Sequence, residues 1–529
     1  MAAHREIEVK LGAPELTELP DLTALASVAA VDPPVVVDLD AVYLDTADRR
    51  LATAGITLRR RTGGADAGWH LKLHVGADER AEIDAPLGGE QVPAELVAPL
   101  RSRLRGASVV PVLALATRRE VHRLRDSTGA LVAEVVDDEV RARDLTVPAG
   151  PGDVQSWREW EVELVAGDRA LLAEARALLR DAGGEDPWWS SKALRAMGVE
   201  VPHGRRAGRH GRSAAGVLDR FLHATRDELA AWDVQVRRSE PDALHQMRVT
   251  VRELRSALGT FRELLTGDVP SGDVPSGDVP SGDVRPGDPV AELRDELGWL
   301  GAVLGAARDA EVVRALIAAL VAVEPVDLVR GPVTDRLDAD RADAHRAAME
   351  DVVALLDSDR YAALLDGLDG LTANPPFSAL ATAPALDVLP RRVRHEWGRL
   401  ERALAAASTT PSGKPRDEAL HEARKAAKRA RYSAEVLVPV VGRAAARSAH
   451  AAQELQTLLG DHHDTVTVRE VLDRVATAAA RAGEDTFTYG RLHGIAQARA
   501  ERLEAQLPAA SERAGSGRHR RWMRRHRPA

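Results

Sequence analysis

The period of the apolar residues changes once along this chain, and that change limits the folds open to it. Up to about residue 165, apolar and polar residues alternate in short runs near 4–11, 35–45, 55–61, 69–75, 80–85, 117–124, 131–142 and 157–165. Neighbouring side chains of a strand point to opposite faces, so these runs read as β-strands separated by Gly-, Pro- and Asp-rich turns. A helix over 168–181 follows the last long strand, and Gly183-Gly184 stops it. From about 213 to 510 the period is 3.6, in long Ala/Leu/Arg/Glu segments, which reads as helix. The expectation is an α+β multidomain chain: a strand-built domain over 1–200, a linker over 201–212, a helical domain over 213–510 and a basic tail over 511–529.

Composition narrows the function classes. A chain of 529 residues can hold about two to four domains with sizeable cores. Its aromatic content is only 3%, which favours Ala/Leu-packed helices over a large all-β protein. The formal net charge is −9, so any polyanion must be bound by local patches. There are no cysteines, which excludes disulfides, thiolate metal sites and cysteine nucleophiles. The N-terminus enters a charged strand without an apolar signal core, and no apolar run approaches the roughly 20 residues that span a bilayer. A cytosolic protein with no membrane partner is expected.

The charged residues of the first domain are sorted by strand. Glu6, Glu8 and Lys10 share one face of the first strand, opposite Ile7 and Val9. Glu159, Glu161 and Glu163 share one face of the last, with Trp160 and Val162 between them. Basic residues occupy the strands between: Arg59 and Arg61 on one, His70, Lys72 and His74 on the next, then Arg80 beside Glu82 and Asp84, and Arg119 further on. Glu134 and Asp138 share a parity, which favours Asp138 over Asp137 as the inward acid. In an open antiparallel sheet such faces are solvated. In a closed barrel they line a polar interior, where carboxylates suit a hard divalent cation and Arg and Lys suit phosphate oxygens.

The ordered set resembles the CYTH family, the triphosphate tunnel metalloenzymes. Glu6-x-Glu8-x-Lys10 corresponds to that family's ExExK signature. Tyr43-x-Asp45-Thr46, Leu58-Arg59-x-Arg61, Trp69-x-Leu71-x-Leu73 around Lys72, Arg80-x-Glu82, Glu159-x-Glu161-x-Glu163-Leu164 and Ser191-Lys192 follow in order over about 4–197. The resemblance implies an eight-stranded antiparallel β-barrel forming a tunnel. It implies Mg2+ or Mn2+ on Glu6, Glu8, Glu161, Glu163 and Asp138, with Glu161, Glu163 and Lys10 serving the chemistry. It implies a triphosphate held by Lys10, Arg59, Arg61, Lys72, Arg80, Arg119 and Lys192. Phosphoryl transfer requires positioning and charge neutralisation, which these residue types provide. Hydrolysis of a short triphosphate, inorganic tripolyphosphate first, is the expected activity. A non-catalytic scaffold and an adenylate cyclase-like activity are the alternatives.

The helical half carries a duplicated basic stripe. His245, Arg248, Arg252 and Arg255 fall at offsets 0, 3, 7 and 10, and so do His421, Arg424, Lys428 and Arg431. At about 100° per residue each set spans an arc of roughly 80°. Leu304-Gly305-Ala306-Ala307-Arg308-Asp309 follows the first stripe, and Leu459-Gly460-Asp461-His462-His463-Asp464 follows the second. From histidine to the final aspartate is 64 residues in one copy and 43 in the other. That difference nearly equals the GDVPS-repeat insertion at 267–288, which reads as a flexible surface loop. Asp461-His462-His463-Asp464 alone suggests a metal phosphohydrolase motif. Its counterpart lacks both histidines, which favours structural or phosphate-contact roles.

These stretches resemble the CHAD domain, the conserved-histidine α-helical domain. The resemblance implies two duplicated helical bundles whose stripes, with Lys425, bind inorganic polyphosphate. It also implies a cytoplasmic protein that can associate with polyphosphate granules. Glu253 and Glu311 depart from that pattern, standing where Arg and Asp are usual. Few aromatics interleave with the stripes, which argues against nucleic acid as the partner. The basic run at 518–527 reads as a mobile arm.

Overall fold

The computed structural model describes residues 4–74, 79–147, 154–199, 212–266 and 288–524, without the side chains of 4–6, 74, 79, 80, 309–311, 338–344 and 518. Of the expected loop at 267–288, all but Asp288 lies outside the described residues, and Asp288 starts the helix Pro289–Ala322. The chain divides into two compact units, Met1–Gly204 and Arg205–Ala529.

The first unit is built on β1 (His4–Ala13), β2 (Ala30–Val31), β3 (Val35–Asp45), β4 (Thr57–Thr62), β5 (Gly68–His74), β6 (Glu79–Pro86), β7 (Val110–Arg125), β8 (Leu131–Asp144) and β9 (Val154–Leu164). The sheet order is β2-β7-β3-β4-β5-β6-β1-β9-β8, and β7 also pairs with β8. That last pairing closes β3 to β9 and β1 into an eight-stranded antiparallel ring, with the two-residue β2 as an appendage. Closure removes the sheet edges.

The two faces of the barrel strands go to different environments. The outward face of β1, β8 and β9 (Leu11, Val135, Trp160 and Val162) is buried under the helix Arg169–Asp181 through Leu171, Ala175 and Leu179. Asp168 starts that helix by accepting hydrogen bonds from the Ala170 and Leu171 N–H groups. Gly183, at φ +102°, ends it. The inward face is graded. At one end Ala41, Tyr43, Leu115, Val140, Ala142 and Trp157 pack against Ala193 and Ala196 of the short helix Lys192–Ala196. This helix plugs the apolar end, and its first residue, Lys192, reaches the charged section.

The second unit is helical throughout. Helices Ala214–Arg237, Ala243–Thr260, Pro289–Ala322 and Val333–Leu356 recur in kind as Ala385–Thr409, Lys414–Val436, Arg443–Arg481 and Phe487–Gly515. Each set has its own apolar cluster, one around Met247, Leu254, Leu297 and Leu304, the other around Trp397, Leu420, Leu455 and Leu459. A third cluster joins the far ends of the two long helices through Val313, Ile317, Val471 and Val475. The basic C-terminal segment departs from the expected mobile arm. Gly517–Arg524 is a helix in which Met523 is buried and the Trp522 indole donates to Ser448 Oγ at 2.8 Å. The apolar face of Trp522 and Met523 supplies the reason, since it packs on the second cluster.

Candidate functional site

The ladder registers place the charged residues in transverse rows. Glu8 lies opposite Glu163, which lies opposite Glu134. Lys10 lies opposite Glu161. Asp138 lies opposite both Glu159 and Arg119. His70 faces Asp84 and Lys72 faces Glu82. Glu6 faces Arg80 across β1 and β6, but the side chains of that pair fall outside the described residues.

Lys192 sits at the centre of one group. Its ammonium lies 2.9 Å from Asp138, 2.7 Å from Glu159 and 2.8 Å from Glu161. Asp138 and Glu159 are wholly buried. Arg119 closes the group with a forked contact to Asp138 at 2.9 and 2.7 Å and a further one to Glu161 at 3.1 Å. Lys10 touches Glu161 as well and lies 2.9 Å from Glu8. Glu159 is oriented from behind, its Oε2 accepting the Trp157 indole N–H at 2.8 Å and that of Trp189 at 3.3 Å. Burial opposes ionisation of Glu161, yet Lys10, Lys192 and Arg119 outweigh it and hold its carboxyl well below the usual range. Burial likewise disfavours the Lys192 cation, and Asp138, Glu159 and Glu161 more than restore it. The carboxylates of Asp138, Glu159 and Glu161 lie close enough to share a metal ion, and Lys192 occupies the place such an ion would take. Glu159 was visible in the sequence as a member of the inward Glu row but was given no role. The indole N–H groups that orient it come from a residue two away and from one thirty away.

The carboxylate row behaves differently. Glu163 is pushed up by burial, then by Glu8 and Glu161, with Lys72 and Lys10 only partly offsetting them. Glu8 and Glu163, opposite each other in the ladder, offer oxygen donors of the kind that suit a hard divalent cation. Glu134 departs from this group by pairing with Arg123 at 2.8 Å.

The cations show the converse. Burial, then Arg59 and Arg119, pull Arg61 down to about 10. Tyr43 is shifted down against its burial by Arg59, Lys192 and Lys72. Cations from β4, β5, β7 and the plug helix therefore converge on one space. The Nε atoms of Arg59 and Arg61 are buried without a hydrogen-bond partner. Lys72 lies 3.2 Å from Glu82, and Arg59 lies 3.6 Å from it.

In the helical unit the two stripes lie on helices that pack against each other, Ala243–Thr260 and Lys414–Val436. Burial pushes the Tyr432 hydroxyl of one up, and Arg252 of the other opposes the rise. The glycine of each duplicated Leu-Gly element sits beneath a stripe arginine. A Cβ on Gly305 would lie 3.5 Å from Arg248, and one on Gly460 would lie 3.7 Å from Arg424. Burial and the surrounding cations, Arg308 at His245 and Lys425 and Arg424 at His421, lower both histidines. His462 and His463 diverge. His463 stacks on His421 with ring centroids 4.5 Å apart. His462 is buried against Glu504 at 3.1 Å and Asp417 at 3.7 Å. Arg416 on Glu504, at 2.7 Å, and Arg469 on Asp417, at 3.3 Å, complete that group as an ion-pair network.

Known proteins match this arrangement. Residues 4–186 match the CYTH domain, and residues 220–272 and 281–473 match the CHAD domain. Uncharacterized proteins of Mycobacterium tuberculosis strains H37Rv and CDC 1551 are each 38% identical over 96% of this chain and 96% of their own. Among solved structures, PptA from Streptomyces chartreusis is 21% identical, with a TM-score of 0.45 over 57% of this chain and 100% of its own. HpAC1 from Hippeastrum, an adenylyl cyclase candidate described as having a dominant triphosphatase activity, is 17% identical, with a TM-score of 0.22 over 37% of this chain and 98% of its own. The chain belongs to the family of proteins in which a CYTH triphosphate tunnel domain is followed by a CHAD domain.

Proposed function

We propose that the tunnel hydrolyses the terminal phosphate of a short triphosphate, with inorganic tripolyphosphate as the leading substrate, and that the helical stripes bind inorganic polyphosphate. The observation that carries the first part is the convergence of buried guanidinium groups. Arg59 and Arg61 keep buried, unpartnered Nε atoms, and Arg61 is destabilised as a cation by burial and by Arg59 and Arg119. A phosphate chain supplies the oxygens that relieve both.

In this reading Arg59, Arg61, Lys72, Arg80 and Arg119 orient the phosphates. Lys10 and Lys192 face both the chain and the carboxylates. Glu6, Glu8 and Glu163 hold Mg2+ or Mn2+; Glu163 is the acid that burial and the facing Glu8 push up. When bound, the ion polarises phosphate oxygens and favours ionisation of an attacking water. Glu161 and Asp138 fix the cations that touch the substrate, and Glu161 can also orient that water. The helical unit contributes His245, Arg248, Arg252, Arg255, His421, Arg424, Lys425, Lys428 and Arg431 to chain binding. A cytoplasmic location, with recruitment to polyphosphate granules, follows from that partner.

The test is phosphate release from tripolyphosphate and from ATP with Mg2+ or Mn2+, using the full chain and the Glu163→Gln, Glu8→Gln and Arg59→Ala variants. Orthophosphate that depends on all three residues supports the reading. Cyclic AMP from ATP assigns the tunnel to cyclase chemistry, and no product with either metal assigns it to a binding role. Polyphosphate that fails to compete with DNA for the helical unit removes the second part.

A further inference from the structure

We propose a second divalent-cation site in the first unit, at His70, Glu82 and Asp84, selective for ions that accept nitrogen ligands, such as Zn2+, Co2+ or Mn2+, over Mg2+. It is separate from the Glu6, Glu8 and Glu163 row and does not depend on the tunnel being catalytic.

Three donors converge there. The Nδ1 atom of His70 lies 2.6 Å from Asp84 Oδ1 and 3.1 Å from Glu82 Oε1. One donor atom from each residue lies within 4.8 Å of the other two. Around an ion with bonds of about 2.1 Å, neighbouring donors sit roughly 3.0–3.4 Å apart, so the group needs only a small adjustment to become a coordination shell.

The surroundings fix how the donors are presented. The other ring nitrogen, Nε2, lies 2.9 Å from the carbonyl oxygen of Asp66, which can only accept. Nε2 therefore carries the proton and donates, leaving Nδ1 as the atom aimed at the two carboxylates. A ring N–H bonded to a backbone carbonyl is the arrangement that orients metal-ligating histidines. Glu82 is held in the same way from its far side. Its Oε2 lies 3.2 Å from Lys72, and its Oε1 faces His70 with the Arg59 guanidinium 3.6 Å away. A neutral Nδ1 lone pair cannot rest 2.6 Å from a carboxylate oxygen without a positive species between them. A divalent cation held by all three donors is such a species.

The chemistry of the set gives the selectivity. One imidazole and two carboxylates suit borderline divalent ions, whereas Mg2+ prefers oxygen and water and dehydrates reluctantly. His70 and Glu82 are 4% and 7% exposed, while the Asp84 side chain is 54% exposed, so an ion has a route in from solvent.

The experiment is titration of the full chain with Co2+, read as the visible ligand-field absorption and by calorimetry. It compares wild type with His70→Gln, Asp84→Asn, Glu8→Gln and Glu163→Gln, all checked for fold by circular dichroism. Loss of the nitrogen-ligated band in His70→Gln, and a dissociation constant raised at least ~10-fold in Asp84→Asn, with both quantities kept in Glu8→Gln and Glu163→Gln, supports the site. A band that survives His70→Gln, a band that depends on Glu8 and Glu163 as much as on His70, or no Co2+ uptake by wild type overturns it. Failure of tripolyphosphate hydrolysis leaves these outcomes unchanged, so the two readings fall separately.

Discussion

Replacing Lys192 with Met tests whether the acids at the plugged end are held by that one ammonium. The methionine keeps length and apolar volume while deleting the charge. Lys192 contacts Asp138, Glu159 and Glu161 at 2.7–2.9 Å, and the first two of these have no exposure. Removing one partner of a buried ion pair costs about 3–5 kcal/mol, because the other is left charged in a poor solvent. Arg119 still serves Asp138 and Glu161, which pulls the loss toward the lower figure. Glu159 keeps only its indole donors. For a unit of this size each kcal/mol shifts the midpoint by about 2–4 °C, so a fall on the order of 10 °C is expected.

The dependence on pH makes that prediction specific. Glu161 is depressed in the folded state, so its contribution is full above its ordinary value of 4.5 and is lost as pH falls through the depressed value. Deleting Lys192 removes part of the depression. The gap between wild type and variant should therefore be widest near neutrality and narrow toward acid. Scanning calorimetry of the full chain at several pH values reads this, with one transition moving and the helical unit's transition fixed. A neutral-pH midpoint equal to wild type, or a gap that widens toward acid, refutes the account.

Other expectations are more local. Glu163→Gln should lower tripolyphosphate hydrolysis by at least ~10² and weaken Mn2+ binding, while raising stability slightly near neutrality, because the acid it removes is destabilised by burial and Glu8. Glu253 is pushed up to about 7 by burial and by Glu435 and Glu228, so its charge is present above that value and absent below it. Polyphosphate affinity, followed by calorimetry, should fall as pH rises through about 7, and Glu253→Gln should flatten that profile. Gly63 has φ +80°, and a Cβ there would meet the Asp38 carbonyl oxygen at 2.2 Å, so Gly63→Ala should cost at least ~1–2 kcal/mol in denaturant melts. Arg248→Ala and Arg424→Ala should each weaken polyphosphate binding and lower its salt dependence by about one charge.

The eight long strands and the change to helix were legible because period 2 and period 3.6 are properties of single segments. All eight expected strands occur, with ends moved by a few residues, and β7 begins at Val110, earlier than its charged stretch suggested. The inward parity of Glu8, Lys10, Arg59, Arg61, Lys72, Asp138 and Glu161 was legible for the same reason. Which acid neutralises which base was not, because a ladder register joins residues as far apart as Lys10 and Glu161. The plug helix shows the limit well. Ser191-Lys192 could be matched to a motif, but only packing of Ala193 and Ala196 into the barrel end carries Lys192 to three buried carboxylates. Trp522 and Met523 were hidden within a run of arginines, where charge dominates a composition reading and two apolar residues decide the docking.

The two basic stripes share a framework but not an electrostatic setting. In both copies an arginine three residues after the histidine lies over the glycine of a Leu-Gly element, 3.5 and 3.7 Å from where a Cβ would stand. Eight residues after each histidine the copies part. Arg429 stands in the second and lies 3.7 Å from the buried Glu396, an acid facing a base. Glu253 stands in the first and meets Glu435 and Glu228, so two acids oppose a third and the local field depends on its protonation. A phosphate chain laid across both stripes would meet, beside the first, a field that changes with the protonation of Glu253. In the proposed polyphosphate site, Glu253 in place of an arginine makes the hold of the first half depend on pH.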